Sequence, residues 1–72
     1  MIKFDYSKHA RYRMRRRGVS QIEVETTVLH PESWYYGSEG EINAIKKFGR
    51  KTVRVVYESL PQHIRVITVI KE

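Results

Sequence analysis

Two histidines and three arginines in this chain, His9, His63, Arg13, Arg54 and Arg65, are of the types that break a phosphodiester without a metal ion. RNA is cut when its own 2′-hydroxyl attacks the adjacent phosphorus. A protein that assists must take the hydroxyl proton, neutralise the phosphorane and protonate the leaving 5′-oxygen. Histidine titrates near neutral pH and suits the proton transfers, while arginine meets phosphate with a planar, two-pronged fork. His9, Arg13, Arg65 and His63 are therefore the expected catalytic groups, with His9, Arg13 and Arg65 first among them. Arg16, Arg17, Arg54, Lys46 and Lys47 are the expected RNA-binding cations, and Tyr57, Tyr35 or Trp34 offers a ring on which an unpaired base stacks. Each assignment has a plainer counterpart. His9 can bond a strand backbone, Arg54 and Arg65 can pair with Glu58 and Glu41, and Trp34 and Tyr57 can be core residues.

Other chemistries find little support. His9, His30 and His63 are far apart in sequence and the carboxylates do not cluster, so no metal site is expected. No glycine-rich loop is spaced to cradle a phosphate cofactor, and no cofactor is expected. With no cysteine in the chain, neither a thiol nucleophile nor a disulfide is available.

Charge is concentrated in one element. Residues 1–18 hold seven lysines and arginines against Asp5, a local net charge of +6 that equals the charge of the whole chain. The remaining residues hold seven basic and seven acidic side chains (14 less 7, and 8 less 1), and sum to zero. A basic stripe on a single element is the footprint of a polyanion ligand, most often nucleic acid. Its plainer counterpart is a solvated helix face.

The elements that would position these residues follow from local signals. Asp5 or Ser7 can cap a first helix running to about Arg17, and Gly18 stands where the chain leaves it left-handed. At 100° per residue, His9, Arg13 and Arg16 fall within an arc of about 60°, beside Ala10 and Met14, while Lys8, Arg11 and Arg15 point away as solubilising charge. Ser20-Gln21-Ile22-Glu23 reads as a capping box opening a second helix, which Pro31 stops near His30. Its apolar stripe is expected at Ile22, Thr26 and Leu29, with Val24 and Val28 on another side. Trp34-Tyr35-Tyr36 is a strand or packed loop; strands follow over Glu41–Phe48, Thr52–Glu58 and His63–Ile70. Alternation puts Val53, Val55 and Tyr57 with Ile64, Val66, Thr68 and Ile70 against the helices, and Arg54, Val56, Glu58, His63, Arg65, Ile67 and Val69 outward. Register decides whether Arg54 and Arg65 stay together. The expected fold is α+β: an N-terminal helical hairpin on one face of a three- to four-stranded antiparallel sheet, in a single domain over residues 1–72.

So small a core makes a stabilising partner or a homodimer plausible. No run approaches the roughly 20 apolar residues of a membrane span, and the first residues lack the apolar stretch of a signal peptide. A soluble, cytoplasmic protein without membrane partners is expected.

The segments Ser7-Lys8-His9-Ala10, Arg13-Met14 and Arg17-Gly18-Val19, with Val66-Ile67-Thr68-Val69 near the end, resemble a family of small prokaryotic domains of unknown function. Its opening reads Ser-x-His-Ala-x-x-Arg-Met-x-x-Arg-Gly-Ile, and the match covers nearly the whole chain. That family is in turn similar to the BrnT and RelE ribonuclease toxins of toxin–antitoxin systems. The resemblance implies a RelE/BrnT-like fold and a metal-independent endoribonuclease acting on RNA, including ribosome-bound mRNA, silenced by an acidic antitoxin protein. Carried over, His9, Arg13 and Arg17 match the helical motif, and Arg65 matches the arginine opening the last strand of BrnT-like sequences. Many RelE-type toxins add catalytic residues beyond the last strand, where this sequence has only Lys71 and Glu72. Two other readings compete: a non-catalytic nucleic-acid-binding or accessory module using the same basic face, and an interaction protein docking through its exposed strand and Val24/Val28.

Overall fold

A computed structural model describes residues 2–72. The element order is β1 (Lys3–Tyr6), α1 (Lys8–Arg17), α2 (Gln21–Leu29), β2 (Ser33–Tyr36), β3 (Ile42–Phe48), β4 (Lys51–Ser59) and β5 (His63–Lys71). The strands form one sheet in the order β1-β5-β4-β3-β2. β2 to β5 are a meander of antiparallel neighbours, whereas β1 pairs parallel to β5, from Lys3 opposite His63 to Tyr6 opposite Val66. The α+β class therefore holds, but the sheet is five-stranded and mixed. The difference is β1, whose partner is the last strand and lies outside any local pattern.

Both helix starts use the hydroxyls that the sequence offers. Ser7, rather than Asp5, caps α1: its Oγ accepts from the Ala10 N–H at 3.0 Å. Ser20 and Glu23 form the reciprocal capping box of α2. Gly18 closes α1 at φ 66°, a left-handed conformation that a side chain resists.

α1 lies on β5, and α2 lies on β4 and β3. The core between them is built from Ala10, Val19, Val24, Val28, Val53, Val55, Ile64, Val66 and Val69, with Tyr6, Met14 and Tyr57 packed at its margin. α2 turns Val24, Thr27 and Val28 inward and leaves Ile22 77% and Leu29 46% exposed. This reverses the stripe expected from sequence: both sets have helical spacing, and the sheet is covered by Val24, Thr27 and Val28.

The last strand departs from simple alternation. Val56 faces Thr68 but Tyr57 faces Val66, so Ile67 has no partner in β4. This bulge changes which side chains point inward. Ile64 and Val66 face the helices before it and Val69 after it, while Thr68 and Ile70, expected inward, turn outward opposite Val56 and Arg54. None of the described helices is long and apolar enough to cross a membrane.

Candidate nucleic-acid interface

α1 carries the basic segment, and the sheet fixes where it lies. Ser7 donates its N–H to Val66 O at 3.1 Å and its hydroxyl to Ile67 O at 2.8 Å, tying the helix start to the bulge of β5. Fully buried Ala10 lets the helix approach the strand closely. At the other end Lys51 Nζ donates to Gly18 O at 3.0 Å and to Glu23 Oε1 at 2.8 Å, joining α1, β4 and α2. That pair, with the Ser20 amide, holds the Glu23 carboxyl below its usual range.

The cations of α1 are almost wholly uncompensated. Among the described residues the ion pairs are Lys51–Glu23 at 2.8 Å, Arg54–Glu72 at 3.6 Å and Arg65–Glu58 at 3.9 Å. None of them uses Lys8, Arg11, Arg13, Arg15, Arg16 or Arg17. Arg11 sits 5.3 Å above the centroid of the Tyr6 ring, an electrostatic interaction that leaves its charge in place. Arg15, Arg16 and Arg17 occupy the last turn, where the helix dipole favours positive charge. Tyr12, half exposed, stands between Arg15 and Arg16 in a shallow depression. A ring flanked by two guanidinium groups suits both base stacking and phosphate binding.

The expected catalytic residues fall into two groups. His9, Arg13, Arg16 and Arg17 lie together on α1. His9 is exposed, and no hydrogen bond involves its ring among the described residues, so the expected bond to a strand backbone is not formed. Arg13 is half-buried, and its Nε is enclosed without a hydrogen-bond partner among the described residues. The second group stands across the sheet. Val66 faces the helices, so Arg65 beside it faces away, as does His63 opposite Lys3. Lys47 and Arg54 share that outer face through the pairs Lys47–Thr52 and Ile45–Arg54. His9 and Arg13 are thus separated from Arg65 and His63 by the sheet itself.

Lys46 and Tyr57 point to the helix side. Lys46 Nζ donates to His30 O at 2.9 Å, which ties the end of α2 to β3. Tyr57 packs at the core margin, and burial pushes its hydroxyl pKa up. Trp34 is not a core residue; it is 53% exposed on edge strand β2 and meets Tyr36 edge-on at 5.2 Å. Arg65 pairs with Glu58 as the plainer reading expects, but Arg54 finds Glu72 rather than Glu41, whose carboxylate accepts from the Glu39 N–H instead. Sequence reasoning makes Arg15 solubilising charge, whereas it lies with Tyr12 and Arg16 on one depression of α1, and it places neither Tyr12 nor Asn43 beside Arg54 at a site. For Asn43 the signal was there: an amide in a strand between Ile42 and Ala44.

No curated protein and no solved structure matches this chain. The model of one family does, over residues 6–71, which takes in the hairpin of helices and every strand from β2 to β5 in full. The chain therefore belongs to the family described as domain of unknown function DUF4258.

Proposed function

We propose that this protein acts on RNA, gripping its phosphates with α1, as the toxin of a toxin–antitoxin pair of the BrnT and RelE kind. One observation carries the RNA part: every ion pair among the described residues lies outside α1, while α1 holds six cations and no acid. An uncompensated row of this kind attracts phosphate over a Debye length and releases counterions on binding. The toxin part rests on the His9-Ala10, Arg13-Met14 and Arg17-Gly18 motif of a family of small domains that is itself similar to the BrnT and RelE ribonuclease toxins. In this reading His9 takes the 2′-hydroxyl proton as the 2′-oxygen bonds to phosphorus, and the P–O5′ bond breaks as the leaving 5′-oxygen takes a proton from water. Arg13 and Arg16 meet the phosphate, and an acidic antitoxin segment covers the same helix.

Binding without cleavage is the second reading. It is favoured by the placement of Arg65 and His63 across the sheet from His9. No group among the described residues fixes the His9 tautomer, which favours it further. Incubation with labelled single-stranded RNA in EDTA, with His9→Ala alongside, separates the two. A 2′,3′-cyclic phosphate product that disappears in the variant supports the enzyme. RNA retained but uncut by free protein, and uncut on loaded ribosomes, leaves the binding module. Failure to retain RNA at low salt overturns both.

A further inference from the structure

The outer face of the sheet holds a second cationic centre, built quite differently from α1. Arg54 rises from β4 between Ile45 of β3 and Ile70 of β5, its direct partners on either side. The neighbouring row runs Tyr35, Asn43, Val56, Thr68 across four strands. Arg54 Nη1 donates to Asn43 Oδ1 at 2.8 Å and to the Tyr35 hydroxyl at 3.3 Å. Asn43 is only 4% exposed, so its carbonyl oxygen is a fixed, desolvated acceptor. The guanidinium is therefore held in one orientation on a central strand, with aliphatic walls that reduce screening. In the same row the Thr68 hydroxyl is enclosed and has no hydrogen-bond partner among the described residues, an unused polar atom beside the centre.

Arg54 already has an anion. Glu72 exchanges backbone hydrogen bonds with Thr52, at 2.8 and 3.3 Å, which extends the β4–β5 ladder by one pair. That pairing puts the Glu72 side chain on the outer face, where Oε2 stands 3.6 Å from Arg54 Nε. The carboxylate is about half exposed, and the separation is longer than a charge-assisted hydrogen bond. It reaches the Nε edge of the fork, while Asn43 and Tyr35 take Nη1.

We propose that Arg54, oriented by Asn43 and Tyr35, is the centre of an oxyanion site for phosphate, and that Glu72 is a tethered competitor that occupies it until phosphate displaces it. The phosphate comes either from an RNA backbone or from the free ion. The site is independent of α1, which lies on the other side of the sheet.

The Nε–H resonance of Arg54 reads the site directly. Inorganic phosphate is titrated into the whole chain against sodium chloride of matched ionic strength, and a short oligouridylate is titrated in a second arm. Phosphate is expected to move the Arg54 signal where chloride does not. Glu72→Gln is expected to tighten that response about two- to fivefold, the range set by an exposed ion pair. Glu39→Gln removes the same charge elsewhere and is expected to leave it unchanged. Arg54→Lys keeps the charge but loses the fork, so Glu72→Gln in that background is expected to have no effect on phosphate binding read from Thr68 and Asn43. Oligouridylate acting at lower phosphate-equivalent concentration than the free ion assigns the source to RNA; the reverse order assigns it to free phosphate. An Arg54 signal indifferent to both, or equal tightening by Glu72→Gln and Glu39→Gln, overturns the site. If α1 amides respond to RNA while Arg54 stays silent toward both RNA and free phosphate, the outer-face site fails and the RNA grip of α1 stands.

Discussion

The Tyr6 hydroxyl donates a hydrogen bond to Glu25 Oε2 at 2.6 Å and so joins the end of β1 to the middle of α2. Gln21 Nε2 supports the same oxygen at 2.9 Å, and Arg11 lies over the Tyr6 ring. The two helices and the edge strand thus meet at one phenol. Burial first, then the Glu25 carboxylate, push the Tyr6 pKa well above its ordinary value.

That shift predicts an alkaline weakness. Tyr6 stays protonated in the folded chain at a pH where the unfolded chain releases its proton, at about 10. Its contribution to stability is complete below that value and falls as pH rises through it. Tyr6→Phe is expected to lower stability by about 1 kcal/mol at pH 7, because a partly exposed hydrogen bond to a carboxylate is removed. Urea unfolding at pH 7 and at about 10.5 should show the two chains converging as the native one loses its advantage. A difference that stays constant between the two values would rule out Tyr6 as the titrating group.

At the other end of the scale, Glu23 has its carboxyl pKa lowered by Lys51 first and by the capping-box amide second. The sign is opposite: this contribution is present above the unfolded carboxyl pKa of about 4.3 and is lost as pH falls through the lower folded value. Ser20→Ala should cost about 1 kcal/mol by removing the cap of α2. Glu23→Gln keeps an oxygen for the Ser20 amide but loses the ion pair, so its unfolding midpoint should fall less on acidification than that of the native chain. Denaturant curves between pH 6 and 3 provide the check.

Local chemistry made these two helices legible. Ser20-Gln21-Ile22-Glu23, Gly18 and Pro31 each act within a few residues, so their consequences are visible in the sequence alone. The strand Lys3-Phe4-Asp5-Tyr6 does alternate, with Phe4 and Tyr6 toward the core, but four residues next to a helix start gave no sign of a partner at His63–Val66. The faces of β5 were unreadable for another reason. Ile64, Val66, Ile67, Val69 and Ile70 are apolar in either parity, and only pairing with β4 reveals the bulge at Ile67. The same limit applied to the site. The charge of α1 is countable, whereas the separation of Arg65 from His9 depends on which face each strand residue takes.

The choice of stripe on α2 gives a direct packing test. Val24 is fully buried and Ile22 is 77% exposed, although Ile22 has the larger side chain. Val24→Ala should destabilise by about 2 kcal/mol, through reduced transfer energy and a cavity against the sheet. Ile22→Ala should fall within about 0.5 kcal/mol of the native chain. Comparable losses at the two positions would mean that α2 packs through the stripe its sequence first suggests.

For α1 the decisive quantity is a slope. Arg15, Arg16 and Arg17 have no carboxylate partner among the described residues, so reversing one frees an RNA phosphate without breaking an internal ion pair. Arg13 is a poorer choice, since its Nε is enclosed and a glutamate there would strand a buried charge. Arg15→Glu with Arg16→Glu should weaken binding to single-stranded RNA and flatten the dependence of log K on log salt by about 0.7 for each phosphate no longer neutralised. The circular dichroism spectrum should change little, because both residues are on the solvent side of α1. If the double reversal lowers affinity while the slope stays as steep as before, the phosphates are held elsewhere. Repeating the measurement with Arg54→Gln and Arg65→Gln, which remove those charges, then asks whether the phosphates sit on the outer face of the sheet.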